Sequence, residues 1–311
     1  MIHTPHTQTA YTLVLNLRNM DRMFISCPGA NREFVVGDVR ETHVTDIDLF
    51  HFGYPPLLET IYADGGEALA GLFANLHRSG VVTSLDLSMP DIHGKAGKVD
   101  WRSFLTRVLP HVDIFMPSLE EIMFMVRPDR FQEIQATGGA FTKSITDADL
   151  AYLGETLVDM GARIVGIKLG VQGLYLRTGD IDSGTGRDIM RPWWWQSLSQ
   201  TDWQRRELYV PCFMVYVSGT TVAGDCTIAG FLYGILHGLS AELCMTYAVA
   251  VGAFSVEQED STSGIPSWAV VQERVRRGWE RAKTAIPLKN WTIHDGVYHS
   301  QRDRKNARIV N

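Results

Sequence analysis

Residues 219–232 read Gly-Thr-Thr-Val-Ala-Gly-Asp-Cys-Thr-Ile-Ala-Gly-Phe-Leu, a run of small residues that passes into an apolar stretch. Small residues at the start of a helix let an anion approach backbone N–H groups that have no partner within the helix, and the helix dipole favours its negative charge. Val222, Ala223 and Gly224 are therefore read as an anion hole. Asp225 stands where that helix opens, so its carboxylate can lie beside a hydroxyl that also faces the anion, as a general base must. An aspartate at this point also has a plain structural reading, because negative charge stabilises any helix N-terminus.

Other residues divide the same way. Ser118-Leu119-Glu120-Glu121 has the spacing of a capping box, which satisfies the first N–H groups of a helix. Asp86 and Asp91 fall just after an apolar strand pattern, where substrate contacts are expected and where turn aspartates are common. The ten histidines show no HExxH spacing, and neither GxxxxGK[ST] nor GxGxxG occurs, so zinc-protease, P-loop and Rossmann chemistry find no support.

The elements that must position these residues follow a regular alternation. A helix over 67–79 carries Leu69, Leu72, Phe73 and Leu76 on one face and stops at Gly80. A strand over 81–87 follows, then a helix over 101–109, a strand over 114–116, a helix after Ser118, a helix over 147–160 and a strand over 164–169. This layer starts with the apolar run 47–52. Such alternation predicts βαβ units, a mainly parallel sheet with helices on both faces, and a ligand site at the carboxyl ends of the strands. Upstream, β-prone runs at 11–17 and 23–27 flank the polar Asn19-Met20-Asp21-Arg22, as in a hairpin. Segment 181–206, with Trp193, Trp194, Trp195 and Trp203, lacks periodicity and reads as a long loop that its tryptophans pack down. The last third is helical over 225–237, 240–256 and 267–283.

Hydrophobic residues make up 45% and charged residues 21% of the 311, enough for a sizeable core. A net charge of −6, with no block of lysine and arginine, argues against nucleic acid or a membrane surface as partner. A small anionic ligand remains compatible, since backbone N–H groups bind phosphate whatever the overall charge. Cys27, Cys212, Cys226 and Cys244 show no CxxC spacing, which fits a reducing cytoplasm, and the first residues show no export pattern.

With these elements in place, stretch 219–232 resembles the second signature of the PfkB carbohydrate kinases, in which a Gly-Ala-Gly-Asp turn forms an anion hole and the aspartate deprotonates a sugar hydroxyl. Ala223, Gly224 and Asp225 match, while Val222 replaces the first glycine, and a β-branched residue is disfavoured at positive φ. Residues 165–175 resemble the family's strand-turn-strand beside the nucleotide. Residues 113–121 resemble its Asn-x-x-Glu region, with Ser118 at the Asn position and Glu121 at the Glu position. Pro28-Gly29-Ala30-Asn31 resembles the Gly-Ala-Asn after the lid, and 248–253 with 261–264 resemble the helix and loop by the adenine pocket.

The resemblance implies a ribokinase-like three-layer α/β/α fold with a mainly parallel central sheet, a β-lid segment over 1–36 and a nucleotide-binding and catalytic domain over 37–311. It implies ATP and Mg²⁺ as cofactors and a sugar or nucleoside as acceptor. Asp225 is then the catalytic base; Lys168, Gly170, Gly173, Thr221 and Gly252 border the nucleotide; Glu121 and Ser118 serve the metal; Asn31 and Asp86 contact the acceptor. Pairing of two lids in a homodimer is a further implication. The family's first strand, with its sugar-binding aspartate and glycine-rich segment, has no counterpart before the lid. The expectation is thus ATP binding with poor sugar phosphorylation, and the alternative is a nucleotide- or metabolite-binding pseudokinase.

Overall fold

The computed structural model describes residues 4–15, 23–40, 44, 46–138, 141–181, 191–200, 203–260 and 262–303. A two-stranded antiparallel arm comes first, with β1 (Tyr11–Leu15) and β2 (Met23–Cys27) in register from Tyr11↔Cys27 to Leu15↔Met23. The expected hairpin is present, while its polar segment 19–22 lies outside the described residues. Beyond the arm Gly29 takes φ 44°, and a Cβ there would meet Gln8 O at 2.4 Å. That close approach lets the Ala30 N–H donate to the same oxygen at 2.9 Å, which folds the chain back on the arm.

The main sheet has eight strands. β3 (Leu49–Phe52), β4 (Val82–Leu85), β5 (Ile114–Phe115) and β6 (Ile164–Lys168) pair in parallel. β7 (Leu174–Thr178), β8 (Glu207–Val210), β9 (Thr292–His294) and β10 (Val297–His299) complete it through antiparallel ladders, in the order β3-β4-β5-β6-β7-β8-β10-β9. Strands β3 to β6, β8 and β9 run one way and β7 and β10 the other, so the sheet is mainly parallel in direction and mixed in pairing.

Helices cover both faces. α1 (Glu59–Tyr62), α2 (Glu67–Arg78), α3 (Trp101–Val108), α4 (Leu119–Val126), α5 (Pro128–Ala136) and α6 (Asp147–Asp159) pack on one core. α7 (Trp193–Gln200), α8 (Ala223–Leu236), α9 (Ala241–Val256) and α10 (Trp268–Arg276) pack on the other. Successive strand residues alternate between the two: Phe115, Val165, Tyr175 and Tyr209 feed the first core, and Ile114, Ile164, Leu174 and Leu208 the second. This is the expected three-layer arrangement.

Two expectations need correction, and one element is additional. Segment 181–206 is not a loop throughout, because α7 forms inside it; residues 182–190 and 201–202 lie outside the described residues. Its Trp194, Trp195 and Trp203 are buried as expected, and Trp193 is exposed. α10 ends at Arg276 and not at 283, since Gly278 turns with φ 87° and the chain then runs beside 212–214 through Met214 N to Glu280 O and Ala282 N to Cys212 O, both 2.8 Å. The β9–β10 hairpin was not legible, being two three-residue strands with little apolar pattern. No described helix is long and apolar enough to cross a membrane.

Candidate active site

The parallel strands deliver polar groups at their carboxyl ends, where an open α/β sheet places its ligands. Asp86 directly follows β4 and Lys168 is the last residue of β6, and Lys168 Nζ donates to Asp86 Oδ1 at 2.7 Å. β5 leads through Pro117 into α4, whose capping box closes through its glutamate half: the Ser118 N–H donates to Glu121 Oε2 at 2.8 Å. The Lys168 N–H donates to Pro117 O at 2.9 Å, so the start of α4 is tied to the end of β6. β3 delivers Tyr54, which takes the left-handed conformation with φ 61° and donates its hydroxyl to Asp225 Oδ1. His51, within β3, shares a 2.9 Å hydrogen bond with the Ser84 hydroxyl.

Asp225 lies in the first turn of α8. Val222, at the N-cap, has φ 62° and ψ 9°. The turn thus keeps the left-handed geometry natural to glycine, with a strain of about 1–2 kcal/mol for a residue with a Cβ. The helix ladder begins with Cys226 N to Val222 O at 2.9 Å, which leaves the Gly224 and Asp225 N–H groups open at the helix start. A Cβ on Gly224 would lie 3.6 Å from Lys168 Nζ, so the ammonium sits directly over this opening.

The carboxyls of the cluster are held in a distinctive state. Burial pushes Asp86 up to about 6 against the pull of Lys168. Burial likewise raises Glu121 to about 7, with Lys168 opposing and Asp86 adding to the rise. Tyr54 is pushed well above its ordinary range by burial and by its bond to Asp225. Asp86 Oδ2 and Thr221 Oγ1 are buried without a hydrogen-bond partner among the described residues. The site therefore has unmet demand for positive charge and for donors, which distinguishes binding sites from structural ion pairs.

Lys168, Glu121, Asp86 and Asp225 are brought together with the Val222-Ala223-Gly224 turn. Gly170 (φ 54°) and Gly173 (φ 107°) shape the turn between β6 and β7, where a Cβ on Gly173 would meet Val210 O at 2.0 Å. Gly252 is buried where α9 approaches α8, with space for a Cβ only 2.4 Å from Thr227 Oγ1. Asp91 has the turn role, accepting from the His93 N–H at 3.0 Å. Asn31 is exposed in the short turn Gly29–Arg32, and no hydrogen bond among the described residues joins it to the cluster. Ser261 lies outside the described residues. Sequence reasoning missed Tyr54 and His51. The available signal was position, at the carboxyl end of an apolar strand, but Tyr54-Pro55-Pro56 reads as a turn.

A divalent cation fits the acids present. Among the described residues no group of three or more His, Cys, Asp or Glu forms a metal cage. Mg²⁺ is commonly held by one or two carboxylates with waters, and Asp86, with its orphaned Oδ2, and Glu121 offer that set.

Comparison with known proteins agrees with this geometry. An uncharacterised sugar kinase of Archaeoglobus fulgidus is 25% identical over 246 residues, covering 79% of this chain and 76% of that one. Among solved structures, a candidate ribokinase II from E. coli in complex with ATP and Mg²⁺ has a TM-score of 0.61 at 20% identity, over 88% of this chain and 72% of that one. Arabidopsis thaliana ribokinase complexed with ribose and ATP has a TM-score of 0.56 at 16% identity, over 86% and 69%. The structural likenesses establish a ribokinase-like fold. Residues 1–268 match the pfkB family of carbohydrate kinases, and the chain belongs to that family.

Proposed function

We propose that this chain transfers the γ-phosphoryl group of ATP to a hydroxyl of a sugar or nucleoside, with Asp225 as the general base. The observation that carries the reading is the placement of Asp225: Tyr54 fixes its carboxylate beside the open N–H groups of α8, where a hydroxyl can meet both. Asp225 receives the hydroxyl proton as the acceptor oxygen bonds to phosphorus and the bond to ADP breaks. The open Gly224 and Asp225 N–H groups, with the Ala223 N–H whose bond to Thr220 O is long at 3.4 Å, the α8 dipole and Lys168 stabilise the charge on the transferring oxygens. Positioning and electrostatics are the main work of phosphoryl transfer, and these are what the cluster supplies.

The turn bearing Gly170 and Gly173, with Thr221 and Gly252, borders the nucleotide in this reading, and Asn31 with Asp86 borders the acceptor. Ser118 orders Glu121, and Glu121 with Asp86 would hold a hydrated Mg²⁺, which neutralises phosphate charge when bound. Residues 1–36 act as a lid on a catalytic domain of 37–311. Tyr11, Leu13, Phe24 and Ile25 are each about half exposed on the arm, which supports its closing over bound acceptor or pairing with the arm of a second copy.

The test is a coupled ADP-release assay with a panel of sugars and nucleosides, alongside calorimetry with ATP and Mg²⁺. Acceptor-dependent ADP release supports the kinase. ATP binding without turnover on any acceptor would replace it by a nucleotide-binding role.

A further inference from the structure

A groove of about 1260 Å³ opens between α9, α10 and the β9–β10 hairpin, and no residue of the Asp225 cluster lines it. Arg281 lies at its floor. The guanidinium donates through Nη1 to Pro211 O at 2.9 Å and through Nη2 to Thr246 Oγ1 at 3.1 Å, and its Cζ lies 4.3 Å over the Phe213 ring. All of these partners are neutral. Arg177, Arg206, Arg274 and Arg302, in the same half of the molecule, each pair with a carboxylate, whereas among the described residues none lies within ion-pair reach of Arg281. Burial lowers Arg281 to about 10, with Cys212 and Tyr209 opposing.

A half-buried cation without a counter-ion is unfavourable in a folded protein, and a guanidinium has five N–H donors, more than the two in use here. Gly296, at the hairpin turn with φ 76°, passes so close that a Cβ would lie 2.9 Å from Arg281 Nε. Only glycine leaves that edge uncrowded. The rim adds exposed Lys283 and Arg276, the latter paired with Glu273 at 3.0 Å; of the groove's two acids Glu242 is already held by Arg206 at 2.7 Å, and Asp295 is exposed at the hairpin turn. Leu243 (43% exposed) and Ile293 (55% exposed) give the walls apolar surface, so the groove joins a fixed cation to a greasy flank.

We propose that this groove binds a small organic anion, with its carboxylate or phosphate on Arg281 and its apolar body along Leu243 and Ile293. Charge complementarity selects the head group, because Arg281 and Lys283 present positive charge to the groove with no carboxylate in ion-pair reach among the described residues. The site is separate from the phosphoryl-transfer centre and does not depend on that reading.

Isothermal titration with 4-nitrophenyl phosphate, benzoate and inorganic phosphate tests it, using protein saturated with Mg²⁺ and a non-hydrolysable ATP analogue so that the α8 anion hole is filled. The expected result is saturable binding of one aromatic anion at least about 10-fold tighter than inorganic phosphate, the better of the two naming the head group. Arg281→Gln should weaken that binding by about 10-fold or more. Because Arg281 also holds Pro211 and Thr246, Lys283→Glu on the exposed rim is the fold-safe second variant, and it should weaken the aromatic anion about 3-fold or more with an unchanged melting temperature. No saturable binding up to about 10 mM, or affinity unchanged in Lys283→Glu, overturns the proposal.

Discussion

Asp86 and Glu121, at the carboxyl ends of the parallel strands, and Glu207 and Asp303, at the antiparallel side of the sheet, are acids drawn away from water but treated in opposite ways. Glu207 accepts from Arg302, Arg177, Tyr175 and Ser300, and although burial pushes it up, Arg302, Ser300 and Arg177 hold it below the ordinary carboxylate range. Asp303 is likewise raised by burial but brought down further by His299 and Arg206. β5 shows the contrast along one strand. Asp113, just before it, is held low against burial by His77, Arg191 and Arg163, while Glu121, in α4 beyond its far end, is raised. Fully partnered acids fasten the fold, and under-partnered ones mark where a ligand supplies what is missing.

The largest effect expected is on the side that is left incomplete. Asp225→Asn should lower kcat by about 10²–10⁴ and leave ATP affinity nearly unchanged, since the base is lost and the phosphate donors stay. Retained turnover would sink the assignment of the base. On the completed side the loss is of stability: Asp303→Asn leaves Arg206 buried with a weakened partner and should reduce unfolding free energy by about 3 kcal/mol in urea denaturation at pH 7. Asp303 is held below its unfolded value, so its stabilisation is present above the ordinary aspartate range and is lost as pH falls through the folded value. The variant and the wild type should therefore converge in acid, and a constant gap down to low pH would contradict the contrast.

Glu121→Gln runs the opposite way. A carboxyl raised to about 7 carries no penalty below its unfolded range, a growing one between that range and about 7, and a constant one above. The glutamine, still able to accept from the Ser118 N–H, should stabilise the protein by about 1–2 kcal/mol at pH 8 and by little at pH 4 while abolishing any Mg²⁺-induced rise in melting temperature. Equal stability of the two proteins at pH 8 would mean that Glu121 is already compensated. Tyr54→Phe removes one hydrogen bond to a charged group, and about 10-fold in kcat with unchanged KM for ATP is expected. A change in ATP KM alone would make Tyr54 a nucleotide residue and not an orienter of the base.

The sequence already contained the contrast in part. Alternating strands and helices dictate where strand ends fall, so the grouping of Asp86, Glu121, Lys168 and Asp225 could be anticipated from their positions after β4, β5, β6 and at the start of α8. What closes the cluster could not. Tyr54 reaches Asp225 only because its backbone is left-handed, a conformation that no residue pattern announces for tyrosine. The antiparallel side was less legible still, since β9 and β10 are recognisable only through partners far away in the chain, such as Arg206 with Asp303 and Glu207 with Arg302. α7 escaped notice because it is short: over its eight residues Trp194, Trp195 and Leu198 pack on the second core while Trp193 is exposed, too few positions to announce a helical period.

The smallest effect should come from Val222, where the two sides of the contrast meet: a packed apolar side chain in a strained turn of the site. Glycine at this position would relieve about 1–2 kcal/mol of left-handed strain. It would also forgo part of the burial that Val222 gains against the second core and add flexibility to the unfolded chain, together about 1–2 kcal/mol the other way. The two nearly cancel, so Val222→Gly should shift unfolding free energy by less than about 1 kcal/mol. Because φ is already 62°, glycine needs no new backbone conformation, and kcat should stay within about 3-fold of wild type. A gain of more than about tenfold would mean that the isopropyl group crowds the transferring phosphoryl group, so that the side chain, and not the backbone it bends, limits this site.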